Sequence, residues 1–493
     1  MNRKNILVLG LASACSILGY LFASIQLSGI GFPLDDGWIH QTYARNLAEL
    51  GEWSFIPGQP SAGATAPLWV GLLAAGRLLG SGPFGFTFIL GWLCLWGVGV
   101  VGLKAAEILL RDKPERAIWA GLGVVFEWHL VWAAVSGMET LLFGLIVLAC
   151  LVWLWKLNEN TPPVVWFWIG IAVGLSIWVR PEGLTLLGPV LLAGILVNAT
   201  WQKRSQNSAR VVAGVLILAI PYLIFNRVLA GAYWPNTFFA KQAEYAIYRQ
   251  LPMARRLLQQ FTLPLIGFGI VVLPGFIANL HRAFHEKRWG VWLSAAWFSG
   301  HLILYAIRLP VVYQHGRYAI PAMPVFFLLG IIGVLQSIDA RSEFRLKRLG
   351  SIFSGALVFA VAAVFWFVGA GAYAEDVGVI NTEMVVMAKW VAKNTQPDDL
   401  IAAHDIGALG YFARRPLIDL AGLVSAEVIP FIRDENKLSM YLDEVKPKYL
   451  LTFPDWYPFL VSKAEFVYAT KGEISIQAGG ENLHLYLWPE TLP

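Results

Sequence analysis

Long apolar runs separated by short polar segments make up most of the chain before residue 375. A helix of about 20 apolar residues crosses the hydrocarbon core of a bilayer, so these runs predict membrane-spanning helices. We count eleven, and residues 1–375 are therefore predicted to form an all-helical polytopic membrane domain. The predicted spans cover residues 6–27, 84–110, 117–134, 139–155, 164–179, 184–199, 211–230, 261–280, 291–307, 319–337 and 350–373.

One further apolar run, 67–79, is too short for a crossing and is typical of an interfacial or re-entrant helix. The positive-inside rule supports this interpretation, because Lys and Arg concentrate in cytoplasmic loops. With eleven spans, the inner segments, including the one around Arg341, hold about sixteen Lys and Arg, against about nine in the longer outer loops. A crossing at 67–79 would reverse this bias. We predict a cytoplasmic N-terminus and a first outer loop, 28–83, with interfacial helices.

Residues 376–493 contain no spanning run. Helical stretches alternate there with short apolar runs, which is typical of one small α/β domain. An odd number of spans places this domain on the same outer side as the first outer loop. Within it, residues 404–423 predict a strand, a glycine turn and a second strand. His404, Asp405 and Asp419 of this segment do not follow a strong metal-ligand spacing.

Composition agrees with a membrane protein. The chain is 57% hydrophobic and 14% charged, with a mean hydropathy of +0.59, which is more apolar than a soluble fold of this length. The net charge of +5 does not indicate nucleic-acid binding, because Lys and Arg lie in short clusters between apolar runs. The three cysteines, Cys15, Cys94 and Cys150, all fall inside predicted spans and do not form a disulfide or metal pattern.

Two adjacent carboxylates, Asp35 and Asp36, stand just after the first span, before an amphipathic stretch that continues to Leu50. Carboxylates close to lipid are costly, so such a pair is a candidate functional site. The alternative is helix capping at the N-terminus of the amphipathic helix, which requires only one Asp.

Seven short motifs follow one another along the first half of the chain. They are DDGWI at 35–39, YARNLA at 43–48, IPGQ at 56–59, TAPLW at 65–69, SGMET at 136–140, RPEG at 180–183 and PNTFFAK at 235–241. Their order resembles the GT-C superfamily of membrane glycosyltransferases, and specifically a bacterial group that includes arabinofuranosyltransferases of the cell envelope. Gly37, Trp38, Gln59 and Ala66 depart from the pattern of that group and lie where a sugar or an acceptor would be expected.

The resemblance implies a GT-C bundle and an inverting transfer of one sugar from a polyprenyl-phosphate donor to an acceptor hydroxyl of an envelope glycan, lipid or protein. It places the enzyme in the bacterial inner membrane, with its active site on the outer face. One carboxylate of the pair acts as general base. We favour Asp35, while Asp36 orients it, binds the acceptor or ligates a divalent cation, the one candidate cofactor.

The resemblance also requires cations for the phosphate leaving group. The candidates on the predicted outer side are Arg180, Lys241, His315 and Arg317. Three of them have a structural alternative: a salt bridge for Arg180, snorkelling for Lys241, and the start of a span for Arg317.

Four residues are candidate sugar or acceptor contacts: Glu139, Glu182, Tyr43 and Asn236. For Glu139 we favour pairing with Arg180 over sugar binding.

Two other function classes fit a polytopic chain. A transporter or a flippase for lipid-linked sugars would also carry charges in outer crevices, but it does not need an outer carboxylate pair and often shows an internal repeat. A non-catalytic scaffold would tolerate loss of Asp35 and Asp36.

The topology has a direct test. A reporter fused to the C-terminus is expected to be active only outside the cytoplasm, because eleven spans carry the chain from a cytoplasmic start to the outer side. A reporter that is active in the cytoplasm would show that the span count is wrong.

Overall fold

The computed structural model describes residues 2–338 and 345–489, except for the side chains of 345–348. Arg341, which was counted among the inner basic residues, lies outside the described residues. The membrane part contains the following helices: α1 Arg3–Leu27, α2 Asp35–Leu50, α3 Pro67–Leu78, α4 Gly85–Leu109, α5 Ala117–Val125, α6 Trp128–Ala134, α7 Thr140–Leu154, α8 Pro163–Val179, α9 Leu187–Val197, α10 Trp201–Ala230, α11 Asn236–Glu244, α12 Met253–Thr262, α13 Phe268–His285, α14 Trp289–Arg308, the short element α15 Tyr313–Gly316, α16 Met323–Ser337 and α17 Arg345–Ile380.

The chain is a multi-pass membrane protein. Among the described residues, six helical segments are long and apolar enough to cross a bilayer, and two bent helix pairs also qualify if each pair is one span. The bent pairs are Pro114–Val125 with Trp128–Ala134, at 60°, and Met253–Leu265 with Phe268–His285, at 99°. The predicted spans 139–155, 164–179 and 184–199 correspond to shorter apolar helices. Every predicted span thus coincides with a helix or a bent pair, while the count of eleven crossings stays a prediction.

Each bend in a helix pair has a local cause. Before α6, the carboxylate of Glu127 accepts a hydrogen bond from the backbone N–H of Leu130 at 3.1 Å and starts a new helix. Before α13, Gly267 adopts a φ of +75°, which ends the preceding helical turn. Both breaks change the direction of a span without a loop.

Residues 28–83 contain the two predicted helices, α2 and α3, joined through the short hairpin of β1 Ser54–Ile56 and β2 Gln59–Pro60. Helix α2 is more deeply buried than an interfacial helix, since its polar residues have protein partners. Gln41 Nε2 donates to Thr87 Oγ1 at 2.9 Å, and Arg45 Nη1 donates to the carbonyl oxygen of Tyr411 at 2.6 Å. The helix therefore lies between the membrane part and the C-terminal segment.

The C-terminal segment forms a small mixed sheet with helices. Its elements are α18 Val386–Asn394, β3 Ile401–Ala403, β4 Leu417–Asp419, α19 Glu435–Val445, β5 Tyr449–Thr452, α20 Pro458–Lys463, β6 Glu465–Ala469, α21 Glu473–Gln477 and β7 His484–Leu487. The strand order is β4-β3-β5-β7-β6, with β3 parallel to β4 and β5, and β7 antiparallel to β5 and β6. A small α/β region is what the sequence predicts.

The connection between β3 and β4 differs from the prediction. Both predicted strands exist, but they are parallel, and parallel neighbours need a crossover rather than a tight turn. The segment between them is helical over residues 407–413, and we call it the crossover helix. Its N-terminus points at α2, as described below.

A buried carboxylate joins this sheet to the long helix α17. Glu383 lies in a wide helical turn, Asn381–Val385, between α17 and α18 and is fully buried. It accepts hydrogen bonds from the backbone N–H of Leu483 at 2.9 Å and from Asn482 Nδ2 at 3.0 Å. A buried charge requires such partners, so this contact holds the sheet to the last membrane helix.

Candidate active site

Asp35 and Asp36 occupy the first turn of α2, but neither caps it. The residue before the helix is Leu34, and it makes no side-chain capping bond. The two carboxylates instead bind groups far away in the sequence. The capping alternative is therefore wrong for α2, and the pair has a different structural role.

Asp35 caps the crossover helix instead of its own helix. Its oxygens accept hydrogen bonds from the backbone N–H of Gly407 at 2.6 Å and of Ala408 at 2.8 Å. The first N–H groups of a helix lack intrahelical partners, and the Asp35 carboxylate supplies an acceptor for the N–H groups of Gly407 and Ala408. A Cβ on Gly407 would lie 2.0 Å from the carbonyl oxygen of Asp35. The close approach of the two segments therefore requires glycine at this position.

Asp36 pairs instead with a cation, the guanidinium of Arg317. Its Oδ2 accepts a hydrogen bond from Arg317 Nη1 at 2.5 Å. The guanidinium also donates to the hydroxyl of Tyr318 at 2.9 Å and lies over that ring, with Cζ 4.9 Å from its centroid. Arg317 Nε is buried and has no hydrogen-bond partner among the described residues. One N–H of this cation is thus free for a further acceptor.

Two cavities meet at the carboxylate pair. An inner cavity of about 120 Å³ and an outer cavity of about 970 Å³ share three lining residues, Asp36, Lys241 and Arg317, which we call the neck. Asp35 lines only the outer cavity. The neck therefore places one carboxylate and two cations between a small cavity and a larger one.

Five of the seven sequence motifs contribute to the inner cavity. The motifs DDGWI, TAPLW, SGMET, RPEG and PNTFFAK each provide at least one lining residue, whereas YARNLA and IPGQ provide none. The contributing residues are Asp36, Ile39, Thr65, Met138, Glu139, Thr140, Arg180, Pro181, Glu182, Thr237, Phe238 and Lys241. Motifs separated by up to 200 residues thus converge on one space.

The inner cavity is lined by a charged network. Arg180 Nε lies 3.6 Å from Glu139 Oε1 and 3.6 Å from Glu182 Oε2, which confirms the predicted pairing of Glu139 with Arg180. His40 Nε2 lies 3.2 Å from Glu139 Oε2, and the Tyr305 hydroxyl donates to Glu182. Arg180 is therefore both paired and exposed to the cavity, so the salt-bridge alternative and a ligand-binding role are compatible.

The two carboxylates of the pair differ electrostatically. Burial, with the nearby negative charge of Asp405, raises the pKa of Asp35 to about 8 despite its two backbone hydrogen bonds. Burial also acts to raise the pKa of Asp36, but the charges of Arg317 and Lys241 outweigh it and hold this pKa below its usual range. Asp36 is thus a permanent anion, whereas Asp35 exchanges its proton near neutral pH.

The C-terminal segment forms one wall of the outer cavity through His404, Asp405, Phe453, Trp456 and Tyr457. His404 lies 3.3 Å from Glu244 and 3.6 Å from Asp405. Burial acts to lower the pKa of His404, but these two carboxylates outweigh it and raise the pKa to about 10. Sequence reasoning missed Glu244, and its one signal is the helical spacing of three residues from Lys241.

Three predicted site residues do not line either cavity. Tyr43 is fully buried, and its hydroxyl contacts Ser61 Oγ at 2.6 Å and accepts from the Gly63 N–H at 2.9 Å, so it holds the loop behind the inner cavity. Asn236 is buried at the start of α11. His315 pairs with Asp376 at 2.8 Å, and Asp376 lines the outer cavity.

A metal site is not assembled by the described residues. No group of three or more His, Cys, Asp or Glu side chains converges among them. Asp419 instead accepts from the backbone N–H groups of Ala421 at 2.9 Å and Val424 at 2.8 Å. The hydrogen bonds that Asp35 and Asp36 accept come from N–H donors of Gly407, Ala408 and Arg317. A divalent cation at the pair stays a prediction.

The two pKa values give a test that does not depend on catalysis. The infrared band of a protonated carboxylic acid is expected to disappear with a midpoint near pH 8, because Asp35 is protonated below its pKa and ionised above it. The buried carboxyl of Asp419, whose pKa is raised to about 6, is largely ionised above about pH 7. Above that pH the band should be absent in Asp35→Asn and present in Glu465→Ala, which removes an exposed carboxylate. A wild-type protein without a carboxyl band near pH 7 would contradict this electrostatic description.

Comparison by sequence identifies one family. Residues 374–486 match the model of a domain of unknown function, DUF8728. No curated protein matches the chain in sequence.

Three solved structures are similar to this chain over almost its whole length. ArnT from Cupriavidus metallidurans, solved with bound undecaprenyl phosphate, is similar with a TM-score of 0.64 and 15% identity over 98% of each chain. The Archaeoglobus fulgidus oligosaccharyltransferase, in complex with Zn and sulfate, gives 0.58 and 12% identity over 95% of this chain and 72% of its own. The mycobacterial arabinofuranosyltransferase AftD gives 0.52 and 12% identity over 100% of this chain and 40% of its own.

These similarities run through both the membrane part and the C-terminal segment. Identities of 12–15% show a shared fold and do not show a shared substrate. The chain has the GT-C fold of membrane glycosyltransferases.

Proposed function

We propose that the protein is an inverting glycosyltransferase that moves a sugar from a polyprenyl-phosphate donor to an acceptor hydroxyl of an envelope glycan, lipid or protein. The reaction takes place on the outer face of the bacterial inner membrane. The observation that carries the proposal is the neck, where the carboxylate pair lies beside two cations at the junction of two cavities.

The neck suits a phosphate leaving group. Arg317 keeps one buried N–H without a partner, and Lys241 retains its charge because its pKa is raised by Asp36 and Glu244 against the effect of burial. Charge-assisted hydrogen bonds from such groups stabilise a phosphate anion as it leaves. The bound undecaprenyl phosphate in the similar ArnT structure supports a donor of this class.

The inner cavity suits the transferred sugar. It is lined by the acceptor oxygens of Glu139 and Glu182 and by the donor groups of Arg180. Glu182 Oε2 has no hydrogen-bond partner within normal distance, since the nearest cation atom, Arg180 Nε, is 3.6 Å away. Such oxygens accept hydrogen bonds from sugar hydroxyls.

Asp35 suits the role of general base. Base catalysis is most effective when the pKa lies near the operating pH, and Asp35, at about 8, is close to it while Asp36 is not. In this scheme Asp35 takes the proton of the acceptor hydroxyl, and the hydroxyl oxygen bonds to the anomeric carbon. The bond from that carbon to the phosphate oxygen breaks on the opposite face, which inverts the configuration. Asp36 holds Arg317 in place.

The outer cavity is the proposed acceptor entrance, because Asp35 faces it and the C-terminal segment forms its wall. We propose that residues 376–493 form an extracytoplasmic domain on the membrane domain 1–375. In this arrangement the acceptor reaches Asp35 from the outer side, while the lipid donor approaches from the membrane.

The carboxylate pair is tested by transfer from a panel of radiolabelled polyprenyl-phosphate sugars to envelope acceptors. Asp35→Asn is expected to lower kcat by about 10² to 10⁴, the usual contribution of a general base. Asp36→Asn should mainly raise the donor KM, because Arg317 loses its partner. Glu465→Ala, which removes an exposed carboxylate, is the matched control.

Two results would contradict this assignment. Full activity in both Asp variants would show that the pair is not catalytic. A larger loss of kcat in Asp36→Asn than in Asp35→Asn would exchange their roles.

The contact of Asp35 with the crossover helix gives a second test. Gly407→Ala is expected to lower kcat by about tenfold or more with little effect on the donor KM, because the new Cβ displaces Asp35 but not Arg317. Gly371→Ala is the control, since a Cβ there meets nothing within 4 Å. Unchanged kcat in Gly407→Ala would show that the C-terminal segment does not position the base.

A further inference from the structure

The three residues directly before Arg317 have left-handed backbone conformations. Gln314 and His315 have φ values of 52° and 57°, and Gly316 has a φ of 68°. Residues other than glycine rarely adopt this backbone conformation, and it persists only where surrounding contacts hold it. This segment, the left-handed turn, therefore needs an external restraint.

His315 supplies a restraint of this kind. Its Nε2 lies 2.8 Å from Asp376 Oδ2, and the same oxygen accepts a hydrogen bond from Trp132 Nε1 at 2.8 Å. The imidazole also lies edge-on between the rings of Trp128 and Trp132, with each centroid 5.3 Å away. One hydrogen bond and two aromatic rings thus fix both the position and the orientation of the side chain.

The left-handed turn leads directly to the neck. The backbone N–H of Arg317 donates to the carbonyl oxygen of Gln314 at 3.1 Å, so Arg317 closes the turn. Only Gly316 separates His315 from Arg317, and a rotation about the backbone of His315 would redirect the guanidinium. The contact of Arg317 with Asp36 therefore depends on the turn.

We propose that His315 is a positioning residue for Arg317. By binding Asp376 beneath Trp132, it holds the left-handed turn, and the turn directs the guanidinium toward Asp36 and the donor phosphate. This rests on the proposed function, and it replaces direct phosphate contact as the role of His315. Asp376 lies in α17, which continues into the C-terminal segment, so the same contact couples that segment to the neck.

The test uses the full-length protein in lipid nanodiscs, with undecaprenyl phosphate as the probe for binding and polyprenyl-phosphate sugars for transfer. His315→Ala is expected to raise the Kd for undecaprenyl phosphate and the donor KM by about tenfold or more, as expected for loss of a hydrogen bond to a charged group. His315→Gln should recover most of the affinity, because the Gln amide nitrogen reaches the position of the imidazole Nε2 and can donate to Asp376, and the neighbouring Gln314 already has a positive φ. The control is His281→Ala, an exposed histidine on α13.

A double-mutant cycle separates positioning from a general structural role. If His315 acts through Arg317, adding His315→Ala to Arg317→Ala should cause no further loss of affinity. Additive losses, or wild-type Kd and KM in His315→Ala, would overturn the inference.

A structure determination keeps the inference testable if the proposed function fails. Absence of undecaprenyl phosphate binding by the wild-type protein would count against the proposed donor. The cryo-EM map of His315→Ala then decides this inference separately. A displaced Arg317 with a broken Asp36 contact supports it, and an intact Arg317–Asp36 pair overturns it.

Discussion

The ion pair between Asp36 and Arg317 is the contact on which the rest of the site depends. Charges removed from water need partners, and here the partner of a carboxylate in the first turn of α2 is a guanidinium some 280 residues later, at an Nη1–Oδ2 distance of 2.5 Å. The pair joins the start of α2 to the start of the segment that leads into α16. It also separates the inner cavity from the outer one. The pair is thus a structural link and a constituent of the neck.

The C-terminal segment belongs to the site as much as the membrane part does. It supplies the two N–H donors that hold Asp35, the histidine that pairs with Glu244, and Asp405, whose charge helps to raise the pKa of Asp35. The different pKa values of two adjacent carboxylates follow from this arrangement. Asp36 faces cations, whereas Asp35 faces backbone dipoles and another carboxylate. Neighbouring residues in sequence can therefore have different chemical roles.

Sequence patterns predicted the elements well because hydrophobic length and spacing are local properties. The positions of α1, α2, α3 and α4 and the α/β character of the C-terminal segment follow from apolar runs and amphipathic spacing. The direction of individual side chains does not follow from these local patterns. Tyr43 and His315 belong to polar segments next to the site, yet neither lines a cavity, and their side chains bind Ser61 and Asp376 instead. A motif identifies a segment near the site, but backbone conformation decides which of its residues reach it.

The sequence by itself determined that this is a membrane protein with a small C-terminal α/β segment. It identified Asp35 and Asp36 as a candidate functional site. It also indicated the GT-C fold through the order of its motifs. Only the tertiary structure decided that Arg317 pairs with Asp36, that Gly407 approaches Asp35, and that the two aspartates differ in pKa. The reason is physical: these properties arise from groups hundreds of residues apart, and their distance and burial exist only after the chain has folded.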